Sequence, residues 1–219
     1  MRAGASRISL WPVVFSGFVA APAMSTSPIL LRKAAVLGAG VMGAQIAAHL
    51  ANAGIPALLY DLPAKDGDPD GLVVKAIAGL AKLEPAPLAA KDRAAAIEAA
   101  NYGSDLARLA ECDLVIEAIA ERLDWKRDLY EKIAPHLAPT TILASNTSGL
   151  SLAALSGAVP ERMRPRFCGV HFFNPPRYMH LVELIAAPQT EPVATPSSAL
   201  VLLRTGCVST TAFTWLPPG

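Results

Sequence analysis

Gly38, Gly40 and Gly43 stand in a G-x-G-x-x-G arrangement, Gly38-Ala39-Gly40-Val41-Met42-Gly43, between a short apolar run and a helically patterned segment reaching Gly54. That order suits a dinucleotide pyrophosphate. Gly38 permits a sharp turn after a strand, Gly40 has no side chain to hold a phosphate off the backbone, and Gly43 lets the helix approach the sheet closely. The first helical turn then offers unpaired N–H groups and the positive end of its dipole. The bare pattern would serve equally as a structural turn. A second element decides for the nucleotide: Asp61, 18 residues after Gly43, ends the apolar run Ala57-Leu58-Leu59-Tyr60. A carboxylate there accepts hydrogen bonds from both ribose hydroxyls and repels a 2′-phosphate, which predicts NAD rather than NADP. The expected cofactor contacts are Gly38, Ala39, Gly40, Val41, Met42 and Gly43 from the turn and Asp61 from the strand.

Residues so arranged need a parallel sheet behind them, and from Lys33 onward strands and helices alternate accordingly. Strands are predicted at Lys33 to Leu37, Ala57 to Tyr60, Leu114 to Ala118, Thr141 to Ala144 and Arg166 to Phe173. Helical spacing covers Gly43 to Ala53, Leu72 to Leu83, the Ala-rich stretch Leu88 to Ala100, Leu123 to Ile133 and Leu152 to Ala158, with Leu106 to Leu109 as a short turn. Pro63 and the cluster from Lys65 to Gly71 read as a loop, and Pro85 and Pro87 break the helical pattern. The expected fold class is α/β: a Rossmann-like, doubly wound, mostly parallel sheet in a single domain over 31–187, with irregular extensions at 1–30 and 188–219.

Composition narrows the function classes. The chain has 219 residues, a net charge of +1 and no basic stripe, so nucleic acid is not an expected partner. Cys112, Cys168 and Cys207 form no C-x-x-C pair and no metal-ligand cluster with the four histidines, so neither a disulfide framework nor a metal is expected. They read as reduced thiols of a cytoplasmic protein. Arg2 and Arg7 precede an apolar run from Ile8 to Ala23 that is similar to a signal peptide. Met24 offers a second start just before the first strand, and an upstream extension is the preferred reading. Pro12 and Gly17 interrupt the run, which is shorter than the roughly 20 apolar residues of a membrane span, so no membrane association is expected.

Five segments in one order carry a resemblance. They are the glycine turn, Val115-Ile116-Glu117-Ala118-Ile119-Ala120-Glu121, Ala144-Ser145-Asn146-Thr147-Ser148-Gly149-Leu150, Gly169-Val170-His171-Phe172-Phe173-Asn174-Pro175 and Met179-His180-Leu181-Val182-Glu183. Together, over Lys33 to Ala187, the chain resembles the 3-hydroxyacyl-CoA dehydrogenase family. The resemblance implies NAD-dependent interconversion of (S)-3-hydroxyacyl-CoA and 3-oxoacyl-CoA, a reaction of fatty-acid β-oxidation, with an acyl-CoA as substrate partner. Removing a hydroxyl proton as a hydride leaves for the nicotinamide requires a base, and imidazole titrates in the useful range. The resemblance assigns that role to His171 and makes Glu183 the carboxylate that fixes its tautomer; taken alone, His171 beside two phenylalanines reads as a core histidine. Ser148 matches a serine that hydrogen-bonds the substrate oxygen, and Asn174 an asparagine near the nicotinamide ribose and substrate carbonyl. Both also read as ordinary turn residues. Glu121 and Lys126 match positions that approach the cofactor, although by themselves they read as an exposed helical pair. Lys75 and Lys82 are placed to meet coenzyme A phosphates, or simply to face solvent.

Beyond Ala187 the resemblance implies another helix and strand and then an all-helical domain that completes the acyl-CoA site and the dimer. The sequence from Pro188 to Gly219, broken by proline and serine, reads instead as an atypical tail, pointing to a frameshift or premature end and making the dimer doubtful. Two other classes fit: a non-catalytic NAD-binding fragment, and a β-hydroxyacid dehydrogenase. Members of the latter share the glycine turn but use a lysine in a later domain, and the His171 and Glu183 pairing argues against them.

Overall fold

The computed structural model describes residues 31–179 and 181–191, together with the backbone of 210–214. The signal-like run, Cys207 and Trp215 lie outside the described residues.

Eight strands form one sheet in the order β3-β2-β1-β4-β5-β6-β7-β8. They are β1 (Ala34–Leu37), β2 (Ala57–Asp61), β3 (Ile97–Asn101), β4 (Leu114–Glu117), β5 (Ile142–Ser145), β6 (Phe167–Phe172), β7 (Leu181–Ala186) and β8 (Thr210–Thr214). The first six are parallel; β7 runs against β6, and β8 is parallel to β7. Helices α1 (Val41–Asn52), α2 (Gly71–Leu80), α3 (Leu123–Ile133) and α4 (Leu152–Ala158) cross between strands. The doubly wound parallel architecture is thus the one the alternation implies.

Its central strands are apolar up to their carboxyl ends because both faces are covered. Alternate side chains split between two cores. Val36, Leu59 and Ile116 pack with Ile46 and Leu50 of α1, whereas Leu37, Tyr60 and Val115 pack with Tyr130 and Ile133 of α3. Small residues on α1, among them Ala44, Ala47, Ala48 and Ala51, let it lie close to the sheet. At Gly43 the approach is closest: a Cβ there would overlap the carbonyl oxygen of Gly38.

The structure departs from the sequence reading in two places. Leu88 to Ala100 is not a helix: Lys91–Ala96 makes a 3₁₀ turn, and Ile97–Asn101 pairs with β2 along its full length. The alanines favour helix, but Ala57 to Tyr60 are fully buried and the edge of β2 needs a partner for its amides and carbonyls, so tertiary pairing overrides local propensity. Asn101 then ends the strand, its Oδ1 accepting from the amides of Gly103 and Ser104 while its Nδ2 donates to Asp70 Oδ1. The second departure is β7 with β8. The segment around Glu183 reads as matching a motif but not as a strand, and the tail reads as unrelated to the sheet, whereas Thr210–Thr214 continues it beyond β7.

His49, on the buried face of α1, is 1% exposed, meets the Phe172 ring edge-on at 5.8 Å, and neither ring nitrogen finds a hydrogen-bond partner among the described residues. Burial lowers its pKa below the ordinary 6.5. A group harder to protonate folded than unfolded contributes stability above the unfolded pKa, and that contribution is lost as pH falls. The melting temperature is therefore expected to drop progressively below about pH 6.5, and less steeply in His49→Leu. Parallel curves for the two proteins would rule out this cause.

Candidate active site

The carboxyl ends of the parallel strands carry the glycine turn, Asp61 and His171, at the edge where open α/β sheets bind ligands. Leu37, which ends β1, is in register with Tyr60 and with Glu117, and Glu117 with Ser145.

The glycine turn leaves β1 at Gly38, whose φ of +105° requires glycine and whose added Cβ would lie 2.9 Å from the Ala118 carbonyl oxygen. Gly40 precedes α1 in an extended conformation, and a Cβ there would meet no protein atom within 4 Å. Asp61 is tied to this turn: the Ala39 amide donates to its Oδ2 at 2.8 Å and the Leu62 amide to Oδ1 at 2.7 Å. Val41 is 70% exposed at the helix start, Met42 half-buried and Gly43 buried. Beside the turn opens a cavity of about 530 Å³ walled by Gly38, Gly40, Asp61, Ile119, Trp125 and Lys132. The glycine backbone, a ribose-reaching carboxylate and this space fit the adenosine and pyrophosphate of a dinucleotide. Trp125, Lys132 and Tyr102, which also line it, carry no motif signal; only packing shows them.

His171 and Glu183 face one another across the antiparallel β6–β7 pair as direct register partners, with Nδ1 to Oε2 at 2.8 Å. A carboxylate only accepts, so Nδ1 carries a proton, and in the neutral imidazole the lone pair is then on Nε2, on the far side of the ring. The pair is half-buried, and Phe173 packs tilted against the imidazole at 4.6 Å. The neighbouring backbone is fixed from the residue after β5: the Phe172 amide donates to Asn146 Oδ1 at 2.9 Å.

Glu121 and Ser148 also meet. The Ser148 amide donates to Glu121 Oε1 at 2.7 Å, its hydroxyl lies 3.3 Å from the same oxygen, and Thr147 Oγ1 donates to Oε2 at 2.7 Å. Burial acts to raise the Glu121 pKa, but the Ser148 amide, the Thr147 hydroxyl and the Lys126 ammonium together hold it below the usual carboxylate value.

Lys126 is not the exposed residue its helical position implies. It is 1% exposed, with Nζ 2.6 Å from Glu117 Oε1 and 3.7 Å from Glu121 Oε2. Glu117, fully buried, is the residue that sequence reasoning passed over. Besides Lys126 it accepts from Tyr130 OH at 2.9 Å, Ser145 Oγ at 2.7 Å and the Ile119 amide at 2.8 Å. Its one signal in the sequence is a carboxylate closing the apolar run Leu114-Val115-Ile116. Burial, with Glu117 adjacent, raises the Tyr130 pKa far above its ordinary value, so the phenol remains a donor.

Asn174 lies just beyond β6, exposed, with Oδ1 accepting from Gln45 Nε2 at 3.3 Å. Lys75 and Lys82 are exposed on α2 and just after it. Cys112 and Cys168 are buried, and burial pushes the Cys112 thiol up to about 12.

Residues 33–206 match the family description "3-hydroxyacyl-CoA dehydrogenase, NAD binding domain". The chain belongs to this family. The 3-hydroxyacyl-CoA dehydrogenases are oxidoreductases, and the domain matched here is the one that binds NAD, the dinucleotide that the turn and Asp61 imply. The match also runs past Ala187, into the segment read from sequence as an unrelated tail. A probable 3-hydroxyacyl-CoA dehydrogenase of Deinococcus radiodurans is 47% identical over 163 residues, covering 74% of this chain and 47% of that protein. A putative fatty acid oxidation complex trifunctional enzyme of Rickettsia felis is 46% identical over 156 residues, 71% of this chain and 22% of its own. Among solved structures, 3-hydroxybutyryl-CoA dehydrogenase from Escherichia coli K12 superposes with a TM-score of 0.69 at 30% identity, over 84% of this chain and 39% of that one. The chain thus spans less than half the length of these relatives. Among the described residues no helix is long and apolar enough to cross a membrane.

Proposed function

We propose that this 3-hydroxyacyl-CoA dehydrogenase domain interconverts (S)-3-hydroxyacyl-CoA and 3-oxoacyl-CoA, with His171 as the general base and Glu183 as its partner. The observation that carries the reading is the His171–Glu183 contact of 2.8 Å at the carboxyl edge of a sheet whose first strand ends in a dinucleotide turn. NAD, when bound, supplies the nicotinamide that takes up or returns the hydride. His171 Nε2 removes the substrate hydroxyl proton, and Glu183 stabilises the resulting imidazolium and keeps the ring from turning. Ser148 and Asn174 hydrogen-bond the substrate oxygen, the glycine turn holds the pyrophosphate, Asp61 selects the unphosphorylated ribose, and Glu121 with Lys126 closes the cofactor side. The coenzyme A ester as substrate comes from the relatives' names, several of which specify hydroxyacyl- or hydroxybutyryl-CoA. In the relatives the domain is part of a longer protein, and the acyl tail is expected to be held by parts beyond this domain.

The test is acetoacetyl-CoA reduction by NADH beside a fluorescence titration with NADH on the same sample. His171→Ala is expected to lower turnover by about 10²- to 10⁴-fold, the usual contribution of a positioned acid–base group, with NADH affinity unchanged. Turnover that survives His171→Ala, or cofactor binding without any turnover, would overturn the catalytic assignment.

A further inference from the structure

Gln45 is a buried amide on the helix that follows the glycine turn, 7% exposed among alanines. Its Nε2 reaches two oxygens: the Val41 carbonyl one turn back, at 3.2 Å, and Asn174 Oδ1 at 3.3 Å. A backbone carbonyl can only accept, so the Gln45 atom facing Val41 is the nitrogen. Both amide protons are then committed, one to Val41 and one to Asn174, and the Asn174 atom that receives the second must be its oxygen. The pairing thus fixes the orientation of both amides. The Asn174 oxygen is turned toward α1, which leaves its NH₂ group directed away from Gln45, on a residue that follows His171 by three positions.

We infer that Gln45 is a positioning residue that holds Asn174 as a hydrogen-bond donor toward the reacting centre, joining the cofactor helix to the loop after β6. The inference rests on the catalytic reading above for its consequence, though not for the contact itself. The site then presents one base, His171 Nε2, and one fixed donor, Asn174 Nδ2, a pairing suited to a substrate whose hydroxyl loses a proton and becomes a carbonyl. A donor aimed in advance at the oxygen that gains charge lowers the barrier without reorganisation during the reaction. With the amide free to rotate, half of its orientations would set an oxygen against that oxygen.

Two variants separate orientation from packing. In Gln45→Glu a carboxylate accepts from the Asn174 NH₂ and turns its oxygen outward; in Gln45→Leu the volume is kept and the orientation is released. Turnover of acetoacetyl-CoA is expected to fall by about 10- to 100-fold in Gln45→Glu and by less in Gln45→Leu, with KM and NADH affinity near wild type; the melting temperature stays near wild type in Gln45→Leu and falls in Gln45→Glu, whose buried carboxylate also faces the Val41 carbonyl. Full turnover in both variants would overturn the inference, as would a loss explained wholly by weaker NADH binding. The contact is read independently by hydrogen exchange of the Gln45 side-chain amide in ¹⁵N-labelled protein. Protection is expected in wild type and a faster exchange in Asn174→Leu; equal exchange in the two would overturn the contact. A wild-type sample without turnover would count against the proposed function, and the exchange comparison would still decide whether Gln45 holds Asn174.

Discussion

Glu117→Leu is expected to destabilise the domain by about 3–5 kcal/mol, because it leaves the ammonium of Lys126 in the interior without its partner. Lys126 is 1% exposed, and the remaining carboxylate near it, Glu121, stands 3.7 Å away and is itself engaged by Thr147 and Ser148. Tyr130 OH and Ser145 Oγ lose their acceptor in the same substitution. For a domain of this size the loss corresponds to a fall in melting temperature of roughly 6–20 °C. The double variant Glu117→Leu/Lys126→Met should recover the part due to the unpaired ammonium, since replacing both halves of a buried ion pair by apolar groups is commonly neutral, while the Tyr130 and Ser145 hydroxyls stay without this acceptor. A thermal melt of Glu117→Leu within 2 °C of wild type would show that water reaches Lys126 and that the buried network carries little stability.

The second large effect divides the glycine turn into two functions. Gly43→Ala places a methyl group on the Gly38 carbonyl oxygen, and neither backbone segment can yield without parting α1 from β1. Overpacking of this kind costs about 1–3 kcal/mol where side chains can adjust, and with a backbone atom as the obstacle the upper end or more is expected. At Gly40 a methyl group meets no protein atom within 4 Å and the backbone φ of −69° is open to any residue, so Gly40→Ala should melt like wild type. It occupies the space needed by the pyrophosphate, however, and NADH affinity is expected to fall by at least about tenfold, or 1.4 kcal/mol. Thermal melts and NADH titrations of the two variants check both halves. Loss of stability in Gly40→Ala, or unchanged stability in Gly43→Ala, would mean that the helix does not sit on the sheet as described.

By itself the sequence determined the parts of this protein that depend on contiguous residues. The order strand, G-x-G-x-x-G, helix, strand, Asp61 specifies a dinucleotide turn because each glycine answers a local steric demand and the carboxylate lies one crossover away. Central strands were legible because burial on both faces makes them continuously apolar. Motif matching pointed to His171, Glu183, Ser148 and Asn174 as candidates, and the described structure brings His171 to Glu183, and Ser148 to Glu121.

Tertiary structure alone decided what depends on a partner distant in sequence. Ile97 to Asn101 is a strand because β2 has an unpaired edge, which no local propensity records. Lys126 is buried because α3 turns that face toward Glu117, a residue on another element. The Asn174 amide is oriented by Gln45, 129 residues earlier, and the charge on Glu121 is held by groups from the β5 turn. Hydrogen bonds and ion pairs require atoms within about 3 Å and an environment that excludes water. Helical and strand periodicity say which face of a segment is buried, but not which residue of another segment will be waiting there.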